Sequence, residues 1–487
     1  MYINQKFLSK YNADTIMLEI KLPREIFKSP FAMEPIVQSL LQGGGLSTWH
    51  HKHWQGNMPQ VTSLEIASIE GTIHFYIRIH KKFKELVSAN IYAQYPGIEI
   101  TEADDYTKLI HYHHKNKDVG IWGASYKLSK DWTPTNPKNG LSFSKKHKSE
   151  PEDKDDEYKM QADFLPIKTY VDYGLDKDPK EEFKTDPIVP LLEFMGSVAK
   201  GEYVWYQILL QEEAVFAKKW TKTYVNEVTH EYFTLKELAK DRVKQIRGSK
   251  IILKGTPVFD DYGYPKMKPE PTGEKDANGK PEMKDVQVTH QKDTVTPSKE
   301  EMKLTQSEKD EIEAIENKVG KPLARVVIRL IYLADNSKGK FNGGHVQNIL
   351  SIMKPFNGIN TFGFIPTSPY DYPWENFRGR REPWRGEELF EEYVEREGFH
   401  PHTSDIKWLS KFEDNFFWNY SMKHRKVFRM IFETILKPFD HPHADRVSVL
   451  NTEEIATLYH FPGQVASVPA LPRVDSTKGM APSNLPQ

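Results

Sequence analysis

A mixed α+β fold is predicted by a strand–helix–hairpin–helix–strand order that can be read twice along the chain. Two observations carry the prediction. Apolar residues switch between a period of two and a period near 3.6, and the switches fall at Gly, Pro and Ser/Asp punctuation. The chain also has 487 residues, enough for several domains with real cores.

The first copy spans residues 1–110. Ile16, Leu18, Ile20 and Leu22 alternate as a half-buried strand. Ser29-Pro30 supplies a cap and a first-turn proline, and Met33, Ile36, Val37, Leu40 and Leu41 then share one helix face, although Pro35 lies within that run. Alternating runs at Leu64–Ile69 and Thr72–Ile79 meet at Glu70-Gly71 as a hairpin. A second helix carries Phe83, Leu86, Val87, Ile91 and Tyr95, Pro96-Gly97 stops it, and Ile98 and Ile100 open the closing strand. This order is ferredoxin-like.

Residues 111–162 lose periodicity and include a dense mixed-charge run, Lys145–Lys159, so they are expected to be a solvated linker. The second ferredoxin-like copy is placed at 163–368. It takes a first strand over Phe164–Val171, a helix with Ile188, Leu191, Leu192, Met195 and Ala199, and a strand from Tyr203 to Leu210. The partner strand arrives late, at Leu323–Leu333, after an insertion at 213–319. That insertion holds expected helices at Ala214–Arg247 and Ser307–Val319, with 255–297 between them expected to be disordered. Val346, Ile349, Leu350 and Met353 form the closing helix, and Thr361–Ile365 the last strand. A C-terminal helical region follows at 369–463, with a long helix from about Ile406 to Leu436 and a short one capped by Asn451-Thr452-Glu453-Glu454. The tail, 464–487, reads as extended.

Composition bounds the function. Lys plus Arg is 67 and Asp plus Glu 68, a net charge of −1, which argues against a broad nucleic-acid footprint. The absence of cysteine excludes disulfides, thiolate metal sites and Cys nucleophiles, and a cytoplasmic setting fits it best. No run of 18 apolar residues occurs, and the mean hydropathy is −0.64. Neither a phosphate-cradling Gly-x-x-x-x-Gly-Lys-Ser/Thr loop nor a Gly-x-Ser-x-Gly elbow is present, so no ATPase core, cofactor or resident metal is expected.

His111-Tyr112-His113-His114 contains the His-bulky-His pattern of metal-dependent single-strand nucleases. In that reading His111 and His113 bind a divalent ion and a tyrosine attacks the phosphate. The pattern should lie on a central strand, whereas here it follows the last strand of the first copy. His441-Pro442-His443 fits the same pattern less well, because proline does not belong in a central strand. The neighbouring histidines of Trp49-His50-His51-Lys52-His53-Trp54 could bind Zn²⁺ or Ni²⁺ with a carboxylate from elsewhere, but no acidic ligand stands at metal spacing, and an exposed loop anchored by its tryptophans is the better account. Phe362-Gly363-Phe364-Ile365 is similar to an RNA-recognition signature but sits on the wrong strand, and core packing of both phenylalanines is the better account. Phe75, Tyr203 and Trp205 are candidate stacking residues for a single-stranded nucleic-acid binder. Paired acids such as Asp104-Asp105, Asp155-Asp156 and Asp260-Asp261 are expected to be merely solvated.

Several stretches together resemble a bacterial family similar to the non-ATPase N-terminal region of conjugation and type IV secretion ATPases. They are Leu18–Pro23, Lys28–Glu34, Ser63–Gly71, Ile91–Gly97 and Leu450–Gly463. The resemblance covers most of the chain outside the linker and the insertion. It implies a non-enzymatic adaptor that docks a separately encoded translocation ATPase and sits with membrane-bound components at the inner face of the membrane. Glu453, Tyr459, Phe461 and Pro462 are the residues it assigns to partner binding. Edge strands of the two sheets would allow strand addition or self-assembly, and the aromatic stretch Tyr370–Trp384 would supply anchors.

Overall fold

The computed structural model describes residues 14–41 and 61–132 (except 24, 25, 27 and 117), 160–176, 185–212, 224–225, 232–247, 250–252, 267–275, 281–288, 294–296, 304–337, 341–366, 381–396, 398–399, 447–463 and 470–474. The chain divides into two compact units. The first comprises Met1–Ser129, Pro166–Ala217 and Lys321–Gln487, and the second Lys130–Leu165 and Lys218–Gly320.

The first unit is a mixed α+β body with ten strands in one sheet. In chain order its elements are β1 (Thr15–Pro23), α1 (Met33–Leu40), β2 (Thr62–Ile69), β3 (Thr72–His80), α2 (Lys84–Gln94), β4 (Glu99–Ala103) and β5 (Val119–Leu128). They continue with α3 (Val189–Gly196), β6 (Glu202–Glu212), β7 (Leu323–Asp335), α4 (Gly344–Ser351), β8 (Phe362–Pro366), α5 (Arg381–Glu395), β9 (Ser448–Asn451), α6 (Thr452–Leu458) and β10 (Arg473–Val474). The main order is β8-β5-β7-β6-β2-β3-β1, with β4 on the far edge of β1 and β9 alongside β7. Every pairing is antiparallel except the short parallel contact of β1 with β10. Strands β1–β4 thus lie in the order fourth, first, third, second, and so do β5, β6, β7 and β8. The two quartets join through β2 and β6, paired from Thr62↔Leu210 to Ile69↔Tyr203.

Local chemistry explains the elements of the first quartet. Pro35 occupies the first turn of α1, where no intrahelical N–H is required. Glu70 and Gly71 both have positive φ (51° and 86°), the two-residue turn whose twist suits a hairpin.

The second quartet starts earlier than the sequence suggested. Its first strand is β5, within the stretch expected to be a linker, where Trp122, Ala124, Tyr126 and Leu128 alternate toward one core. The expected strand at 164–171 is absent. Pro166 has no amide to donate, and the Asp172 carboxylate accepts from the Thr169 amide at 2.7 Å, closing a turn there. The expected helix over 406–436 lies outside the described residues.

Both faces of the sheet are covered, which is why β6 and β7 are buried almost throughout. One face carries Leu18, Ile66, Phe75, Tyr206 and Ile328 in a core shared with α1–α4 and α6. The other carries Met17, Tyr76, Tyr203, Trp205 and Ile331 beneath α5.

The second unit contains two packed helices, Leu235–Ile246 and Gln306–Gly320, bridged by Arg242 and Glu311 at 2.9 Å. Part of the stretch expected to be disordered is instead an antiparallel hairpin, Met267–Lys275 with Pro281–Gln287. Asn278-Gly279 between these strands is a strong hairpin signal that the Pro/Lys/Asp-rich surroundings mask. No described helix is long and apolar enough to cross a membrane.

Candidate functional site

The most unusual chemistry lies between α5 and the sheet. Leu389, Phe390 and Tyr393 turn one side of α5 onto the sheet. Gly386 permits the close approach: a Cβ there would come within 2.7 Å of Ile121.

Beneath this helix Glu65 is fully buried and held by a fork. Arg396 donates Nε to Oε1 and Nη2 to Oε2, both at 3.1 Å. Ser63 Oγ (2.6 Å) and Gln207 Nε2 (3.2 Å) also donate to Oε1, and Tyr106 donates its hydroxyl to Oε2 at 2.7 Å. Because the Tyr106 proton is engaged there, the 2.7 Å contact with Tyr393 requires Tyr393 to be the donor. Arg396 also reaches both oxygens of Asp105 and the Val394 carbonyl.

Burial pushes the carboxyls of Glu65 and Asp105 up, but Arg396 and the hydroxyl donors outweigh it and hold both below their ordinary range. Burial also drives the Tyr106 and Tyr393 hydroxyls well above the usual phenol range, with the Glu65 charge adding to it. Arg396 sits just past α5 at φ 57°, a backbone position that favours Gly or Asn. Its side chain must supply the compensation. A second buried pair lies alongside, with Arg329 Nη2 donating to Glu392 Oε2 at 3.2 Å and Nη1 to the Glu392 carbonyl at 3.2 Å.

Toward the N-terminal part of α5 lie the histidines singled out by sequence. His111 and His113 do not converge. His111 packs edge-on against Phe390 at 5.4 Å, while His113 Nε2 lies 3.5 Å from Glu387 Oε1. The neighbour that joins His113 is His114, whose Nδ1 meets Glu387 Oε2 in a very short contact. Of the two histidines in the nuclease pattern, His113 alone belongs to the group with His114 and Glu387, and the segment lies in a loop. The other histidine groups, at 50–53 and 441–443, lie outside the described residues, as do Asp155-Asp156 and Asp260-Asp261. Asp105, expected to be solvated, is a partner of the buried arginine.

The aromatic platform is not exposed either. Phe75, Tyr203 and Trp205 are all buried. Phe362 packs into the core as expected, whereas Phe364 stays 47% exposed on β8. Of the stretch 370–384, only the α5 backbone from Arg381 and the Pro383 side chain are described.

Of the residues assigned to partner binding, Tyr459, Phe461 and Pro462 are buried and Glu453 is partly exposed. Asn451 Oδ1 accepts from the Glu454 amide at 2.8 Å and Glu454 Oε2 from the Asn451 amide at 2.9 Å, the capping box expected for α6. Glu453 accepts from Thr169 Oγ1 at 2.6 Å and pairs with Lys321 at 2.7 Å. Tyr459, Phe461 and Pro462 are buried, and Phe461 meets Tyr95 and Phe75 edge-on at 5.0 and 5.6 Å. Aromatic residues next to a proline suit a docking peptide and a core equally well, so burial decides for the core.

His460 adjoins them. Its Nδ1 donates to the Ala456 carbonyl (2.9 Å), and its Nε2 faces both oxygens of Asp186 (3.1 Å), an arrangement that favours the protonated ring. Burial depresses the ring, but Asp186 outweighs it and raises its pKa.

Comparison with protein-family models, with curated proteins and with solved structures produced no match.

Proposed function

We propose that this protein is a non-enzymatic assembly module of a type IV secretion or conjugation-like translocation machine, built on two ferredoxin-like units fused edge to edge. The repeated order fourth, first, third, second supports the fold reading, since that order is the one a βαββαβ ferredoxin-like unit adopts.

The observation that carries the functional reading is the way the C-terminal segment is built into the sheet. β9 pairs alongside β7, α6 packs on α1, β10 pairs with β1, and the Ile73 amide of β3 donates to the Ala470 carbonyl at 3.1 Å. Leu450–Gly463, the last of the stretches that carry the resemblance, is thus part of the scaffold. Docking then falls to surfaces other than Tyr459 and Phe461. Strands β8 and β4 are each paired on one side only among the described residues, and Phe364 and Leu109 expose apolar surface on or near them. A peripheral position at the inner face of the membrane, through membrane-bound partners, belongs to the same reading.

The test is gentle purification of a tagged full chain from its native host, with cross-linking and mass spectrometry. A translocation-type ATPase or channel subunits cross-linked near β8 or β4 is the expected result. Recovery of the chain with neither, at native expression, would sink the proposal.

A further inference from the structure

We infer that His113, His114 and Glu387 form a binding site for a divalent transition-metal ion of the zinc class, which would tie α5 to the loop between β4 and β5. Three side chains from two separate elements each offer one ligand atom, and those atoms all lie within 4.8 Å of one another. The two imidazole rings stack at 4.5 Å, and the carboxylate presents one oxygen to each ring. A set of two imidazoles and a carboxylate, without sulfur, matches the borderline softness of Zn²⁺ and leaves a fourth position for water.

The scaffold around the three residues is fixed before any ion arrives. Asn116 N donates to the His113 carbonyl at 2.8 Å, and Tyr112 donates its hydroxyl to the Pro383 carbonyl at 3.4 Å, fastening the loop to α5. His114 and Glu387 are mostly shielded, with side chains 12% and 16% exposed, while His113 at 44% leaves an entry path.

Contacts at both rings must change. The Lys115 amide donates to His113 Nδ1 at 3.1 Å, which places the ring proton on Nε2 facing Glu387. An ion at Nε2 displaces that proton and requires Nδ1 to carry one, so this amide contact is exchanged for solvent or a carbonyl. At His114 the ion likewise takes Nδ1 from its contact with Glu387, and the ring proton moves to Nε2.

The ordinary alternative is a histidine–carboxylate ion pair with no ion. Zinc titration into the full chain by calorimetry, in a non-coordinating buffer, separates the two. Because the chain carries 18 histidines, each a potential zinc ligand, the readout is the difference from the wild type. His113→Ala and Glu387→Gln should each remove one equivalent, or weaken it by at least about 100-fold, since loss of a ligand exceeds the roughly 10–100-fold typical of an outer contact. His111→Ala should keep that equivalent. Hydrogen exchange across residues 387–395 should slow on zinc addition in the wild type and not in His113→Ala. His113 is the most exposed of the three, so its variant carries the test if Glu387→Gln fails to fold. Unchanged stoichiometry and affinity in His113→Ala would overturn the assignment.

Discussion

Replacing Arg396 by methionine tests the network under α5. The substitution keeps most of the side-chain volume and removes two hydrogen bonds to Glu65, two to Asp105 and one to the Val394 carbonyl. Glu65 is 0% exposed, so its charge cannot be rehydrated in place. Breaking a buried pair by removing one partner typically costs about 3–5 kcal/mol, and the φ of 57° adds a strained backbone with nothing to reward it.

The pH dependence is the sharper part of this test. In the wild type both carboxyls lie below their ordinary values of 4.5 and 3.8, so their contribution is complete above that range and disappears as pH falls through the folded values. In the variant burial loses its main opponent at Glu65, and although Ser63 and Tyr106 still donate to the carboxylate, its folded pKa rises. Folding is then penalised at neutral pH and relieved by proton uptake as pH falls, by up to about 1.4 kcal/mol per unit. Urea unfolding, followed by tryptophan fluorescence at pH 7 and pH 5, should show a gap of about 3–5 kcal/mol that narrows at the lower pH. A gap under about 1 kcal/mol at pH 7, or one that does not change with pH, would refute the reasoning.

Other perturbations probe the remaining joints. Phe461→Ala should destabilise the first unit by about 3–5 kcal/mol, because it empties a cavity among Phe75, Tyr95 and Tyr459; an unchanged urea midpoint would return Phe461 to the surface. The His460–Asp186 pair should make stability fall as pH rises. His460 has a folded pKa above 6.5, so its contribution is full below that value and is lost as pH climbs through the raised one; Asp186→Asn should abolish this alkaline slope, as read from melting temperatures between pH 6 and 9. Gly71→Ala should cost about 1–3 kcal/mol, since a Cβ there would sit 2.8 Å from the Val198 carbonyl at a φ of 86°, and a thermal melt equal to wild type would contradict that geometry.

What the sequence could reveal followed from locality. Alternation at Ile16–Leu22, the Glu70-Gly71 turn and the Asn451 capping box are each fixed by a few adjacent residues, and each stands where it was read. The start of the second quartet was hidden because β5 lies between a histidine loop and a mixed-charge run, while Phe164–Val171 is apolar enough to imitate a strand. Pro166 and the Asp172 turn were the local evidence against that strand.

The candidate site was less legible because it depends on a face that only tertiary structure defines. Glu65 in an alternating strand is normally a solvent-facing position, and it became a buried one only because α5 covers that side. One signal was available. Arg325 and Arg329 interrupt the apolar run Leu323–Ala334, and a charge such as that of Arg329, in the middle of a strand buried on both faces, requires a partner from outside the sheet. That requirement, followed through, predicts a covering element carrying an acid opposite Arg329, which is what Glu392 on α5 supplies. The same covering helix brings Glu387 to His113 and His114. The buried ion pairs and the histidine–carboxylate group are thus consequences of a single packing event, the seating of α5, and a perturbation that unseats the helix should disturb both together.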